Sequence, residues 1–107
     1  MSEFTDFLPE AFAEFGAVHI RRMFGGHGVF YDGLMIGLVA SNSLYLKADA
    51  QSRVLFEERG LEAFTYGKAE KRVALSYYQA PEEALEDPDS MREWAERAYA
   101  AALRSRR

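Results

Sequence analysis

The sequence predicts an α+β domain in which helices cover one face of an antiparallel sheet, in the order α-β-β-β-β-α-β-β-α. Three observations predict it. Apolar residues recur at helical spacing near both ends of the chain, and between these ends they alternate with polar residues. The turns between the first four strands are too short for parallel crossovers, which need about a dozen residues or more. Because the chain has 107 residues, we expect a single domain over residues 1–107.

The first helix is predicted from one apolar face near the N-terminus. Its members, at positions i, i+3, i+4, i+7, i+8 and i+11, are Phe4, Phe7, Leu8, Ala11, Phe12 and Phe15. Gly16 is placed to end this helix. Pro9 would lie in the first turn of a helix capped by Thr5, whereas it would kink a helix that starts at Ser2. Because the apolar spacing already begins at Phe4, we favour the longer helix.

The first strand is predicted from Ala17, where apolar and polar residues begin to alternate. Gly25-Gly26-His27-Gly28 interrupts this pattern, which resumes at Val29. Three glycines would let backbone N–H groups converge on an anion, but the dinucleotide and phosphate-loop patterns are incomplete. A wide bulge or bent hairpin that needs positive φ is the favoured interpretation. Gly25, Gly26, His27 and Gly28 remain the candidates for a ligand site.

The other strands are predicted from turn signals and apolar runs. Asp32-Gly33 indicates a two-residue hairpin, because both central residues of a type I′ turn need positive φ. Residues 34–40 are all apolar or glycine, which is typical of a strand buried on both faces, and residues 44–47 form the next strand. A second hairpin is predicted over residues 64–78, with its turn at residues 67–70.

Three helical segments are predicted in the second half of the chain. Asp49 can cap a helix that runs to about Arg59, and Gly60 can end it. Residues 81–85 indicate a helical turn. Asp87-Pro88 is a favourable start for the last helix, with a carboxylate cap and proline in the first position. The buried stripe of that helix comprises Met91, Trp94, Ala95, Ala98 and Ala102.

Composition excludes several classes of protein. The absence of cysteine excludes disulfide scaffolds, thiolate zinc sites and cysteine nucleophiles. The longest apolar run, residues 34–40, is far shorter than the roughly 20 residues of a membrane helix. The N-terminus lacks the basic start and apolar core of a signal peptide, so we expect a cytoplasmic protein that does not bind membranes. A net charge of −4 predicts weak or no direct binding to nucleic acid.

The sequence offers no recognisable catalytic or metal site. His19 and His27 are the two histidines, and no close carboxylate pattern completes a zinc site with them. The serines lack a glycine-flanked nucleophile elbow, and no matched pair of carboxylates is evident. We therefore predict no catalytic residue, no metal and no cofactor.

Basic residues on the predicted strands and hairpin tips could form one patch beside exposed tyrosines. These residues are Arg21, Arg22, Lys47, Lys68, Lys71 and Arg72. With Tyr31, Tyr45, Tyr66 or Tyr78 nearby for stacking, such a patch could bind nucleic acid. The simpler interpretation is that they keep the sheet edges soluble, as charged residues commonly do.

Several motifs occur in a recognisable order. The sequence reads Arg-Arg-Met-Phe-Gly-Gly-His-Gly-Val-Phe-Tyr-Asp-Gly over residues 21–33 and Leu-Tyr-Leu-Lys-Ala-Asp over residues 44–49. Later motifs are Gly60-Leu61, Phe64-Thr65-Tyr66, Leu75-Ser76-Tyr77-Tyr78 and the run over residues 81–88, followed by Trp94. Together they resemble the N-terminal domain of the TfoX/Sxy competence regulators, from about Phe4 to Leu103.

The resemblance implies a role in regulating DNA-uptake genes alongside a cyclic-AMP-dependent activator, and it supplies no catalytic residues. The second, mainly helical domain of those regulators has no counterpart in these 107 residues. We therefore expect a non-catalytic regulatory module that contacts another protein, with the transcription machinery as the candidate partner. The expected partner surface is formed by Arg21, Arg22, Tyr31, Lys47 and Arg72.

Two alternatives remain open. One is a small-ligand-binding protein or enzyme that uses residues 25–28 with His27, and the other is direct nucleic-acid binding. An apolar pocket beside His27 with converging polar groups would favour the ligand, whereas a continuous sheet face would favour a protein partner. A homodimer is also compatible with the sequence.

Overall fold

The fold is given by a computed structural model, which describes residues 2–23, 25–67 and 73–106. Within these residues the elements follow the predicted order, with a short helix before the last one. They are α1 (Glu3–Ala11), β1 (His19–Met23), β2 (Gly26–Tyr31), β3 (Leu34–Ala40), β4 (Ser43–Lys47), α2 (Arg53–Glu57), β5 (Ala63–Tyr66), β6 (Val73–Gln79), α3 (Glu82–Glu86) and α4 (Pro88–Ser105). The predicted α+β class is confirmed.

The six strands form one sheet in the order β1-β2-β3-β4-β6-β5, and every neighbouring pair is antiparallel. The first four strands follow one another as hairpins, while β6 lies between β4 and β5. The register between β2 and β3 shifts at Val29/Phe30, because Val29 pairs with Gly37 whereas Phe30 pairs with Met35. Ile36 is the extra residue of this bulge, and its side chain is fully buried in the core.

The core lies between one face of the sheet and the helices. The long helix α4 packs on β3 and β4, and its buried stripe contains four alanines that allow close approach to the strands. The largest fully buried side chains of the core are Phe12, Phe56, Leu8, Ile36, Leu44, Leu46, Met91 and Val29. The predicted stripe of α4 is confirmed, since all five of its residues are buried.

Helix α1 begins as predicted but ends earlier. Ser2 caps it reciprocally with Thr5: the Thr5 N–H donates to Ser2 Oγ at 3.2 Å, and the Ser2 N–H donates to Thr5 Oγ1 at 3.1 Å. Pro9 lies inside the helix, where it has no N–H to donate. The helix ends at Ala11 instead of continuing to Phe15, and turns carry the chain to residue 16.

Most of the glycine segment, residues 26–28, belongs to strand β2. We predicted that the strand pattern resumes at Val29, but β2 begins at Gly26. Gly25 alone within residues 25–28 has a positive φ, of 79°, and it belongs to the turn between β1 and β2. The predicted hairpin bend with positive φ is therefore confined to Gly25, because Gly26 pairs with Met23 and Gly28 pairs with Arg21 and Leu38 as strand residues.

The local turn and cap signals held elsewhere. Asp32 and Gly33 have φ values of 53° and 77°, which confirms the predicted hairpin. After α2, the Leu61 N–H donates to the Phe56 carbonyl and the Gly60 N–H to the Glu57 carbonyl, as in a Schellman cap. Helix α2 is shorter than predicted and is flanked by turns.

Two other predictions concern the start of α4 and the turn of the second hairpin. Asp87 caps α4 by accepting a hydrogen bond from the Asp89 N–H at 3.1 Å, with Pro88 in the first position as predicted. Of the predicted turn at residues 67–70, all but Gly67 lie outside the described part of the chain, which omits residues 68–72.

Candidate partner-binding face

The two faces of the sheet have different surroundings. Successive side chains of a strand point to opposite faces, so the strand pairing assigns each residue to one of them. One face carries the buried residues that contact the helices, such as Val29, Val39, Leu44 and Leu46. The opposite face, called the open face below, carries His19, Arg21, Met23, Gly26, Gly28, Phe30, Met35, Leu38, Ala40, Tyr45, Lys47, Leu75 and Tyr77.

An apolar groove of about 420 Å³ lies on the open face. It is lined by Met23, Gly25, Gly26, Met35, Leu38, Val39, Ala40, Phe64, Tyr66, Leu75 and Tyr77. The lining comes from β1, β2 and β3 on one side and from β5 and β6 on the other. Tyr66 is 52% exposed, which leaves one wall of the groove open to solvent. The open face therefore presents apolar surface where a soluble sheet commonly presents polar side chains.

Side chains reach across neighbouring strands to shape this groove. The Tyr77 hydroxyl on β6 donates a hydrogen bond to the Met35 carbonyl on β3 at 3.3 Å, passing over β4. Burial of this ring raises the pKa of Tyr77 above its usual value of 10.0. The Tyr45 and Phe64 rings meet edge to face with centroids 5.1 Å apart, passing over β6. These contacts connect β6 to β3 and β5 to β4 across the open face.

Two glycines of β2 lie on the open face beside β1, and one of them, Gly26, lines the groove. A Cβ atom on Gly26 would overlap the Val39 carbonyl oxygen, so the two backbones can approach this closely only at glycine. A Cβ atom on Gly28 would lie 2.7 Å from Met23 Sδ and 3.3 Å from Met35 Sδ. Two flexible thioethers therefore cover Gly28, and such side chains adapt readily to different partners.

Two basic residues of the open face, Arg21 on β1 and Lys47 on β4, lie outside the groove lining and flank strands β2 and β3. The Arg21 guanidinium on β1 is stacked over the Phe30 ring, 5.2 Å from its centroid. Lys47 Nζ on β4 lies 5.1 Å from the Tyr77 centroid and donates a hydrogen bond to Ser76 Oγ at 2.8 Å. Both cations contact aromatic rings, and within the described residues neither of them pairs with a carboxylate.

Acidic residues are absent from all six strands as the structure bounds them. This is notable because the chain carries 17 acidic residues and a net charge of −4. The described acids lie on helices, in turns and in connecting segments. The charged side chains of the strands are Arg21, Arg22 and Lys47, so the sheet is cationic in an acidic protein.

The structure separates the residues of the expected partner surface. Arg21 and Lys47 share the open face, whereas Arg22 follows Arg21 and lies on the opposite face. Tyr31 also lies on the helix side, where its ring centroid is 4.6 Å from that of Phe15. Arg72 is outside the described residues.

The ring of Tyr31 belongs to an aromatic cluster with Phe15 and Tyr99. The Tyr31 and Tyr99 centroids are 4.9 Å apart, edge to face. The Tyr99 hydroxyl donates to Asp32 Oδ2 at 2.8 Å, and this hydrogen bond raises the pKa of Tyr99. The cluster ties α4 to the β2–β3 turn and so has a structural role.

The ligand candidates are also divided between the two faces. Gly25 and Gly26 line the groove, and Gly28 lies on the same open face. His27 pairs with Arg22 and Val39, and the alternation of β2 directs its side chain to the opposite face. The apolar pocket expected for a ligand is thus present, but His27 is not beside it. The backbone N–H groups of β2 serve the sheet and do not converge as an anion site would need.

Polar contacts elsewhere hold the ends of elements together. Asp49 accepts hydrogen bonds from Arg104 Nε at 2.6 Å and from the Ser52 N–H at 3.0 Å. The hydrogen bond from Arg104 holds the pKa of Asp49 well below its usual range. This ion pair links the last turn of α4 to the segment that enters α2.

Sequence reasoning missed the apolar residues that make the groove, above all Met35, Leu38 and Leu75. The available signal was the run over residues 34–40, which we correctly predicted to be a strand but wrongly expected to be buried on both faces. We attributed the second face to a buried core. It instead lines the groove, together with residues from β5 and β6.

Two further searches cover only residues 2–23, 25–67 and 73–106. No group of three histidine, aspartate or glutamate side chains there could hold a metal ion. No described helix combines the length and apolar character that crossing a membrane requires.

Comparison with known proteins gave consistent results. A family model described as the TfoX N-terminal domain matches residues 10–102. The chain is 32% identical over 88 residues to a protein of Aliivibrio fischeri (strain ATCC 700601 / ES114) named DNA transformation protein TfoX1. The match covers 78% of this chain and 42% of that protein, so the chain spans less than half the length of this relative.

Proposed function

Since the chain belongs to the TfoX N-terminal domain family, we propose that it is a non-catalytic regulatory module that binds a protein partner through the open face of its sheet. The observation that carries this proposal is the apolar groove, with Arg21 and Lys47 on the same face of the sheet. The process we propose is the regulation of DNA transformation in the cytoplasm, which the name of the relative suggests. The transcription machinery is the proposed source of the partner.

The chemistry of the groove supports binding over catalysis. Its lining contains no histidine, aspartate or glutamate among the described residues, so it lacks the usual general acids and bases. The Tyr77 hydroxyl is engaged with the Met35 carbonyl, and Lys47 donates to Ser76. His27, the reactive group of the ligand alternative, lies on the opposite face.

The same features favour protein over duplex DNA as the partner. A duplex binder neutralises several phosphates with a dense set of cations. The strands carry only three, and one of them, Arg22, lies on the face opposite Arg21 and Lys47. An apolar floor stabilises a partner by burying apolar side chains, which a phosphate backbone does not offer.

The test combines variants of the groove with a matched control. Leu38→Asp places a charge in the groove, and Tyr66→Ala removes an exposed wall residue without disturbing the core. Val54→Asp is the control, since Val54 is 46% exposed on α2, away from the groove. Each variant replaces the chromosomal gene in the source organism, and transcripts of DNA-uptake genes and transformation frequency are measured. Thermal unfolding by circular dichroism establishes that each variant is folded.

We expect Leu38→Asp and Tyr66→Ala to lose most of the regulatory effect that the intact protein has, and Val54→Asp to retain it. Full regulation by both folded groove variants would overturn the proposed surface. No change in either readout when the gene is deleted would overturn the proposed process.

A further inference from the structure

We infer that the occupant of the groove is an amphipathic helix of a protein partner, with acidic side chains on both sides of its apolar stripe. In this arrangement the stripe lies over the part of the groove that β2 and β3 form, and the acidic side chains pair with Arg21 on one side and Lys47 on the other. The inference rests on the proposed function and specifies the chemistry of the partner.

The spacing of the two cations fits the width of a helix. Arg21 is on β1 and Lys47 is on β4, three strand spacings apart, or about 14 Å along the sheet. One row of paired residues crosses the first four strands and contains Arg21, Gly28, Leu38 and Tyr45. Lys47 lies two residues beyond Tyr45 on β4. An α-helix with its side chains is about 10–12 Å wide. One helix therefore fits between the two cations, and its flanking residues can reach both.

The floor of the groove suits an apolar stripe. Gly26 lines the groove without a side chain, and the side chains of Met23, Phe30 and Met35 lie against Gly28. Met23 and Met35 cover this region with thioethers that can rearrange around an inserted side chain. Grooves that accept helices use such surfaces to bind residues at i, i+3, i+4 and i+7 of the helix.

Charge complementarity selects an acidic helix. The described strands carry no acidic residue, so the charged side chains that they present on the open face are Arg21 and Lys47. Lys47 uses one of its three N–H donors for Ser76, which leaves two for a partner. A second copy of this chain would bring its own Arg21 and Lys47 against these two, and like charges make that face-to-face pairing unfavourable.

An extended segment would use a different part of the molecule. Such a segment adds to a sheet by backbone hydrogen bonds at an edge, and the edges here are β1 and β5. It would leave the groove empty. The position of a bound probe therefore distinguishes a helix in the groove from an added strand.

The experiment uses three synthetic peptides of about 18 residues, long enough to be helical. All three carry the same leucine stripe, which is flanked by glutamate, glutamine or lysine. Each is titrated into the full chain by fluorescence anisotropy, and amide chemical shifts locate the bound peptide. The protein variants are Arg21→Glu and, as the matched control, Arg22→Glu, because Arg22 is the next residue, is also exposed and lies on the opposite face.

We expect the glutamate peptide to bind in the groove about fivefold more tightly than the glutamine peptide, as two exposed ion pairs would give. The lysine peptide should bind most weakly, and the difference should shrink in 0.5 M salt, because salt screens exposed pairs. Arg21→Glu should weaken binding of the glutamate peptide about tenfold and Arg22→Glu less than twofold.

Three results would overturn the inference: equal binding of the glutamate and lysine peptides, equal effects of Arg21→Glu and Arg22→Glu, or shifts confined to the edge strands. If single-stranded oligo(dT) binds the open face more tightly than the glutamate peptide does, the inferred occupant is nucleic acid and not a helix. If these results occur while Leu38→Asp still abolishes regulation, the proposed function stands and only the chemistry of the partner is wrong.

Discussion

The three glycines at the start of β2 should respond differently to the same substitution by alanine. Each position constrains the added methyl group for a different reason. At Gly26 the Cβ would overlap the backbone oxygen of Val39, which cannot move unless β2 and β3 separate. At Gly25 there is no atom within 4 Å, but the φ of 79° is unfavourable for alanine. At Gly28 the nearest atom, at 2.7 Å, is the thioether sulfur of Met23, a flexible side chain.

These contacts set the order of the expected losses in the free energy of unfolding. Gly26→Ala should cost about 3 kcal/mol, at the upper end of typical overpacking. Gly25→Ala should cost about 1–2 kcal/mol, the strain of a left-handed conformation. Gly28→Ala should cost about 1 kcal/mol, at the lower end of typical overpacking, because the thioethers can rotate but the Phe30 ring, 2.8 Å from the added Cβ, must also move.

Urea denaturation followed by far-UV circular dichroism measures all three values, with the wild-type protein as reference. Equal m-values would establish that the variants unfold as the wild type does. The reasoning would be refuted if Gly26→Ala were within 0.5 kcal/mol of the wild type, or if Gly28→Ala were the least stable of the three.

Three other predictions concern pH, metal and nucleic acid. Since the folded protein lowers the pKa of Asp49 below its ordinary value of 3.8, its carboxylate stabilises the fold above that pH and loses this effect as the pH falls. Asp49→Asn should thus lower the free energy of unfolding by about 1.5 kcal/mol at pH 7 and by much less at pH 2. Urea titrations that give an equal loss at both pH values would contradict a stabilising ion pair with Arg104. A chelator should leave the thermal midpoint unchanged, and a fall of several degrees would reveal a structural metal. Random duplex DNA at about 150 mM salt should bind with a Kd above about 10⁻⁴ M, as measured by fluorescence anisotropy. Residual binding should vanish when residues after Leu103 are removed. Micromolar binding by the truncated chain would contradict this prediction.

Local signals were enough to predict most of the elements. Asp32-Gly33 and Asp87-Pro88 specify a turn and a helix start through their own backbone preferences, so their neighbours in space matter little. Position 26 was different, because glycine is required there by the close approach of the Val39 carbonyl oxygen on β3. No pattern within residues 25–28 records that contact.

The candidate site was predicted only in part, because it depends on which face each strand residue occupies. Arg21 and Lys47 were correctly placed on strands, and the structure brings them to one face. Tyr31 was grouped with them, but its ring packs on Phe15 and Tyr99, the latter contributed by α4. Alternation along one strand does not say which of its two faces the helices will cover. That choice is made by packing between distant parts of the chain.

The distribution of acidic and basic residues across the sheet also affects how fast a partner arrives. Helices α1 and α3 carry three acids each and no base, whereas Arg21 and Lys47 face the other way, so the charges of these described elements form a dipole across the sheet. In the field of a negatively charged molecule this dipole turns the groove towards the approaching surface before contact. Such orientation raises the association rate and makes it depend on ionic strength, while the dissociation rate is governed by the apolar contacts formed afterwards.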